Sequence, residues 1–288
     1  MEHFYNIYNA SAGSGKTFNL VKEYLKILLT DEQVDSYKKI LSITFTNKAA
    51  NEMKERVASL TGLFTNRMWI STFHAMCSKI LREHIELLGY KKSFQIIDDD
   101  DVTQLIKSIL KKKNYDIKMF KPKIVKYHVT KMKHDPLHYN DIEAPLNDVV
   151  KSVFRDYEKN LAENNLVDFE GLLILTIRLL KENKEIRNYY KKVFQYIMVD
   201  EFQDTNNVQY ELIGLLVNEN NNLFIVGDED QSIYAFRGAN IENIRKFKKD
   251  YPNYHLVLLE QNYRSTNNIL TAANQIIKNN KSRVPKNL

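Results

Sequence analysis

A chain of 288 residues, 43% hydrophobic and 27% charged, can bury a sizeable core, yet it offers no apolar run near the roughly 18 residues that a membrane helix needs. Its single cysteine, Cys77, excludes an intrachain disulfide, and no basic-then-apolar leader opens the sequence, so a cytoplasmic protein is expected. The net charge of +6 points to a polyanionic partner.

Residues 4–9 alternate apolar and polar side chains, as a strand does. Ala10-Ser11-Ala12-Gly13-Ser14-Gly15-Lys16-Thr17 follows, and then an amphipathic helical pattern begins at Phe18. Strand, small-residue turn and helix are what a phosphate-binding loop requires. Backbone N–H groups wrap the phosphate and the helix N-terminus adds positive potential. Lys16 can reach the β and γ phosphates of a nucleotide and Thr17 can offer its hydroxyl to Mg²⁺. Ala10 stands where the usual pattern has its first glycine.

Residues 39–45 read as a buried strand ending at Thr46, a helix-capping residue. Residues 67–72 form a shorter strand, followed by a helical pattern over 73–88. The repeated strand–helix unit predicts an α/β fold with a mainly parallel sheet, binding its ligands at the carboxyl ends of the strands. From Asp98 the pattern turns helical, and residues 98–165 are expected to form an insertion. Between Lys111 and Lys133 lie nine lysines and one acid, Asp116, interleaved with Tyr115, Phe120, Tyr127 and His128. Such a stretch fits a nucleic-acid backbone, and equally a solvated lysine-rich surface.

Residues 167–173 lead into a helix running to about 181. Three buried strands are then expected, over 194–199, 223–228 and 255–259, with a last helix over 266–278. The first ends in Asp200-Glu201. Asp200 is placed to hold Mg²⁺ opposite Thr17, and Glu201 to take a proton from the attacking water. Gln231, beyond the second strand, is placed to sense a γ-phosphate. Tyr234 and Phe236 can stack on bases or pack inward, with Arg237-Gly238 a simple turn in the second case. After the third strand, Arg264 is a candidate γ-phosphate contact and Tyr263 a candidate for stacking on adenine.

Seven motifs occur in order: 10–17, Thr-Phe-Thr-Asn-Lys-Ala-Ala at 44–50, Ser-Thr-Phe-His at 71–74, Val-Asp-Phe at 167–169, Val-Asp-Glu-Phe-Gln-Asp-Thr at 199–205, Val-Gly-Asp-Glu-Asp-Gln-Ser-Ile-Tyr-Ala-Phe-Arg-Gly-Ala at 226–239, and Glu-Gln-Asn-Tyr-Arg-Ser at 260–265. Together they resemble the UvrD/Rep/PcrA group of superfamily 1 DNA helicases. The resemblance implies a RecA-like P-loop NTPase domain, residues 1–97 and 166–288, with 98–165 as an inserted helical DNA-contacting subdomain. It implies a 3′-to-5′ motor that uses ATP and Mg²⁺ to move on single-stranded DNA or single/double-strand junctions. Lys16, Thr17, Asp200, Glu201, Gln231 and Arg264 match the family's nucleotide and Mg²⁺ machinery, Tyr263 its adenine-stacking aromatic, and Arg237 an arginine near the γ-phosphate. Phe45, Asn47, Phe73, His74, Tyr234 and Phe236 match its single-strand contacts. The nine residues before Ala10 contain no glutamine, whereas family members usually carry an adenine-reading one there, and the Ala-Ser-Ala start is closer to the RecB/AddA-type branch.

The second RecA-like domain of such motors is expected to be absent from this chain, so hydrolysis and unwinding would need that domain or a partner subunit. The alternative for the whole chain is a non-enzymatic accessory or switch protein that binds nucleotide and single-stranded DNA. An unrelated P-loop kinase or GTPase leaves Gln231, Arg264 and the aromatic loops unexplained.

Overall fold

The computed structural model describes residues 5–11, 13–30, 36–217, 222–232 and 239–277. In chain order the elements are β1 (Tyr5–Ala10), α1 (Lys16–Thr30), β2 (Ile40–Thr44), α2 (Asn47–Thr61), β3 (Trp69–Thr72), α3 (Phe73–His84), β4 (Gln95–Ile97), α4 (Asp99–Lys112), α5 (Pro122–His134), α6 (Leu146–Glu163), β5 (Leu166–Asp168), α7 (Phe169–Glu182), α8 (Lys184–Val193), β6 (Tyr196–Val199), α9 (Asn207–Leu216), β7 (Asn222–Gly227), α10 (Glu242–Asp250), β8 (Tyr254–Leu259) and α11 (Asn267–Ile277). The chain folds as two compact units, residues 1–76 with 184–288, and residues 77–183. It leaves the first within α3 and returns after α7.

The first unit is an α/β fold on a six-stranded parallel sheet, ordered β3-β2-β6-β7-β1-β8. Every residue of β2 is buried, so Ile40-Leu41-Ser42-Ile43-Thr44 reads as an apolar run rather than an alternation. One core layer packs Leu20, Val21 and Tyr24 of α1 and Met53 and Val57 of α2 against Ile40, Met198, Phe224 and Val226 of the sheet. Helix α2 starts where Thr46 accepts a hydrogen bond from the Ala49 N–H at 3.1 Å, and it stops at Gly62, whose φ of 70° suits a residue without a Cβ. Strand β8 corrects one expectation. Among the described residues it is an edge strand bonded to β1 alone and partly open to solvent, rather than a buried one.

The second unit is helical, with a small parallel ladder of β4 and β5. The sequence pattern joins residues 167–173 to the main sheet, but among the described residues β5 pairs only with β4. Each has three residues, too few to carry an alternation signal. Asp98 and Asp101 form a capping box at the start of α4, as the acidic run predicts. The core gathers Ile106 and Leu110 of α4, Val125 and Val129 of α5, and Val150, Val153 and Tyr157 of α6. The helix predicted over 73–88 ends at His84, and Ile85–Leu88 tightens into a 3₁₀ turn closed by Gly89 at a φ of 85°.

Candidate active site

The parallel register sets Ala10 beside Leu259, Asn9 beside Gly227, Val199 beside Ile225 and Thr44 beside Thr72. All six strands therefore end at one edge, and the motif residues that follow them emerge there.

The loop after β1 reverses through two glycines in the left-handed region, Gly13 at φ 76° and Gly15 at φ 78°. Ser14 donates to the Ser11 carbonyl through its N–H at 3.1 Å and its hydroxyl at 2.7 Å, which tightens the turn. The segment after β8 lies against it. Tyr263 N–H donates to the Gly13 carbonyl at 2.9 Å, and Asn262 Oδ1 accepts from the Arg264 and Ser265 N–H groups at 2.9 and 2.8 Å. A Cβ on Gly13 would fall 2.6 Å from the Arg264 Cβ, so glycine is required here by space as well as by φ. The Ser11 hydroxyl is buried without a hydrogen-bond partner among the described residues. A small-residue loop with an unsatisfied donor is what an anionic ligand would complete.

Lys16, on the first turn of α1, reaches Glu201 beyond β6, with Nζ at 2.7 Å from Oε2. The two residues are 185 positions apart in sequence. Glu201 is held at φ 46° and ψ 46°, a left-handed conformation that costs a non-glycine residue energy and occurs disproportionately at functional sites. Asp200 is buried and accepts the Glu201 N–H at 2.9 Å. Burial and then the Glu201 charge raise its carboxyl to about 6, against the pull of the Glu201 N–H and Lys16. Asp204 is likewise raised to about 6 by burial and Glu201. Asp200, Glu201 and Asp204 thus gather negative charge that Lys16 offsets only in part, and added positive charge would relieve it.

Gln203 donates through Nε2 to Glu201 Oε2 at 2.9 Å and accepts the Asp228 N–H on Oε1 at 3.0 Å. Asp228 in turn holds the Asp230 N–H at 3.0 Å and the Gln231 side-chain amide. Lys16, Glu201, Gln203, Asp228 and Gln231 thus form one hydrogen-bonded chain. Of the other expected nucleotide residues, Thr17 is half-buried, Tyr263 is exposed and Arg264 is exposed. Ala12 and Arg237 lie outside the described residues, as do Tyr234 and Phe236 among the expected DNA contacts. Phe45 and His74 are half-buried and Asn47 is exposed, at the ends of β2 and β3. Phe73 is 3% exposed and turns its ring into the core, leaving no free face for stacking.

Sequence reasoning assigned no role to Gln203, Asp228 or Asn262. Gln203 sits inside the 199–205 motif, but its role depends on β7 lying next to β6, which no local pattern states. Asn262 carried a signal, since an asparagine in the turn after a strand commonly accepts backbone N–H groups ahead of it.

Residues 5–252 match the family profile described as UvrD/REP helicase N-terminal domain. The chain belongs to this family. It is similar to the ATP-dependent DNA helicase PcrA of Bacillus subtilis (strain 168), at 47% identity over 97% of this chain and 38% of that protein. The PcrA proteins of Staphylococcus epidermidis and Staphylococcus aureus are 46% and 45% identical over the same shares. The chain thus spans well under half the length of these relatives.

In the second unit the nine lysines between Lys111 and Lys133 divide by environment. Lys113 pairs with Asp156 at 3.0 Å, Lys126 with Asp99, and Lys133 with Asp168 at 2.8 Å and Glu158 at 2.9 Å. Lys111, Lys112, Lys118, Lys121, Lys123 and Lys131 are exposed and make no ion pair among the described residues. Tyr127 is exposed beside Lys131, whereas Tyr115 and Phe120 pack edge to face and join the core. Among the described residues no helix is long and apolar enough to cross a membrane.

Proposed function

We propose that this chain is the ATP-binding N-terminal part of an ATP-dependent DNA helicase that moves 3′ to 5′ on single-stranded DNA. The observation that carries the reading is the 2.7 Å contact between Lys16 and Glu201. It brings the phosphate-loop lysine and the acidic pair to one point at the sheet edge.

In this reading the RecA-like domain lies within residues 1–97 and 166–288, and 98–165 is the helical insertion, the centre of the compact unit spanning 77–183. Lys16 leaves Glu201 for a phosphate oxygen when ATP binds. Glu201, released from that ion pair, accepts a proton from water. Gln231 and Arg264 face the γ-phosphate, Arg237 lies near it, and Tyr263 stacks on adenine. Thr17 and Asp200 would hold Mg²⁺, which would neutralise phosphate charge, and the raised Asp200 carboxyl and the unsatisfied Ser11 hydroxyl fit such a ligand. Phe45, Asn47, Phe73, His74, Tyr234 and Phe236 form the single-strand path, with Phe73 acting from beneath it. The six unpaired lysines of the insertion add phosphate contacts, at a single strand or a junction. A second RecA-like domain or partner subunit completes the motor, which works in the cytoplasm.

The test is ATP turnover by the purified chain with and without a single-stranded DNA oligonucleotide, with Glu201→Gln as control. DNA-stimulated turnover that vanishes in the variant supports the reading. Loss of ATP binding in Lys16→Ala with no effect of DNA on any nucleotide step would favour a simple nucleotide-binding switch. Absence of ATP binding by the wild-type chain would refute both.

A further inference from the structure

We propose that Gln203 is a positioning residue that keeps Glu201 aimed after Lys16 departs and ties that aim to the Asp228–Gln231 segment. The inference rests on the nucleotide-site reading above. Lys16 Nζ and Gln203 Nε2 contact the same oxygen, Glu201 Oε2, at 2.7 and 2.9 Å. Once a phosphate draws Lys16 away, Gln203 remains on that oxygen. Glu201 needs such a hold, because its own backbone sits in a left-handed conformation and its side chain is only partly buried.

The other end of the amide fixes its orientation. Gln203 Oε1 accepts the Asp228 N–H at 3.0 Å, and the side chain is 2% exposed. One face must donate to a carboxylate while the other accepts an N–H. A glutamine does both, whereas a glutamate cannot donate when ionised and a leucine does neither. Asp228 carries the constraint onward through its carboxylate to the Gln231 amide. The base and the γ-phosphate-facing glutamine are therefore set by one side chain. Gly227 leaves room for it, since a Cβ there would fall 2.7 Å from Gln203 Oε1.

Three variants separate this role from simple packing. Gln203→Leu removes the hydrogen bonds to Glu201, Asp204 and Asp228, Gln203→Glu retains only the acceptor toward Asp228, and Gly227→Ala displaces the amide without changing its chemistry. Each is checked for cooperative thermal unfolding. Mg²⁺-ATP affinity is measured on the full chain, with hydrogen exchange of the amides at 228–232 followed with and without nucleotide, and turnover where the wild type shows it. The expected result is an affinity within about threefold of wild type in all three. The nucleotide-dependent change at 228–232 is lost in Gln203→Leu and Gly227→Ala. Turnover falls about 100-fold in every variant, the scale of a misplaced reacting group. Gln203→Glu keeps slow exchange at the Asp228 amide and still loses turnover. A wild-type-like exchange response in folded Gln203→Leu overturns the inference alone. So does a loss of affinity that matches the loss of turnover. Absence of nucleotide binding by the wild type overturns the site reading and the inference with it.

Discussion

Asp168 belongs to the Val-Asp-Phe motif, and the structure gives it a stabilising role that can be measured. Its carboxylate accepts the Gly171 N–H at 2.7 Å as the cap of α7, the Tyr157 hydroxyl at 2.5 Å, and Lys133 Nζ at 2.8 Å. The Lys133 and Asp168 side chains are 5% and 9% exposed. Burial alone would lower the Lys133 pKa, but Asp168 and Glu158 outweigh it and raise it. Asp168→Ala removes the cap, worth about 1 kcal/mol, and leaves a buried ammonium with one carboxylate in place of two. Breaking a buried pair from one side costs about 3–5 kcal/mol, so a total near that range is expected because the terms overlap. Asp168→Asn keeps the oxygen that caps Gly171 and turns the one facing Tyr157 into an amide donor toward that hydroxyl, and it should cost about 1–3 kcal/mol. Lys133→Met alone should resemble Asp168→Ala, whereas adding it to Asp168→Asn should recover part of the loss. The assay is urea unfolding by far-ultraviolet circular dichroism, with hydrogen exchange of the α7 amides assigning the change to the second unit. If Asp168→Ala stays within about 1 kcal/mol of wild type, or Asp168→Asn costs as much as Asp168→Ala, the accounting is wrong.

Other outcomes follow from the same geometry. Gly13→Ala places a methyl against Arg264 and strains a φ of 76°, so nucleotide binding should fall by about tenfold or more, read by calorimetric titration. Asp200 and Asp204 titrate near about 6 in the folded chain, above the ordinary carboxylate value of 3.8. The folded state therefore binds these protons more tightly than the unfolded state, and their contribution to stability grows as pH falls from about 6 toward 3.8. Asp200→Asn with Asp204→Asn should flatten the Tm-against-pH curve across that window, and an unchanged curve would contradict the burial argument. Replacing Lys118, Lys121 and Lys123 by Ala should weaken single-stranded DNA binding and lower the salt slope of log K by about two to three, whereas Lys113→Ala should leave the slope unchanged. Equal slopes for both variants in fluorescence anisotropy titrations would show that ion pairing does not sort these lysines.

Periodicity and capping chemistry carried most of the fold. Each strand of the six-stranded sheet, the turn from β1 into α1, and the capped starts of α2 and α4 were legible because they depend on neighbours in sequence. The ordered motifs likewise placed Lys16, Asp200, Glu201, Gln231 and Arg264 after strand ends. Sequence alone did not show that β8 lies at an edge, or that β5 leaves the main sheet to pair with β4, because partner choice is a long-range matter. Nor could it sort the lysines, since Lys133 is silenced by Asp168 from 35 residues away. Local sequence determined which groups exist and where each strand delivers them. The tertiary structure decided which charges cancel, and it gave Gln203 its role by laying β7 alongside β6. Strand order fixes those distances, and a parallel sheet brings together residues that the chain itself holds far apart.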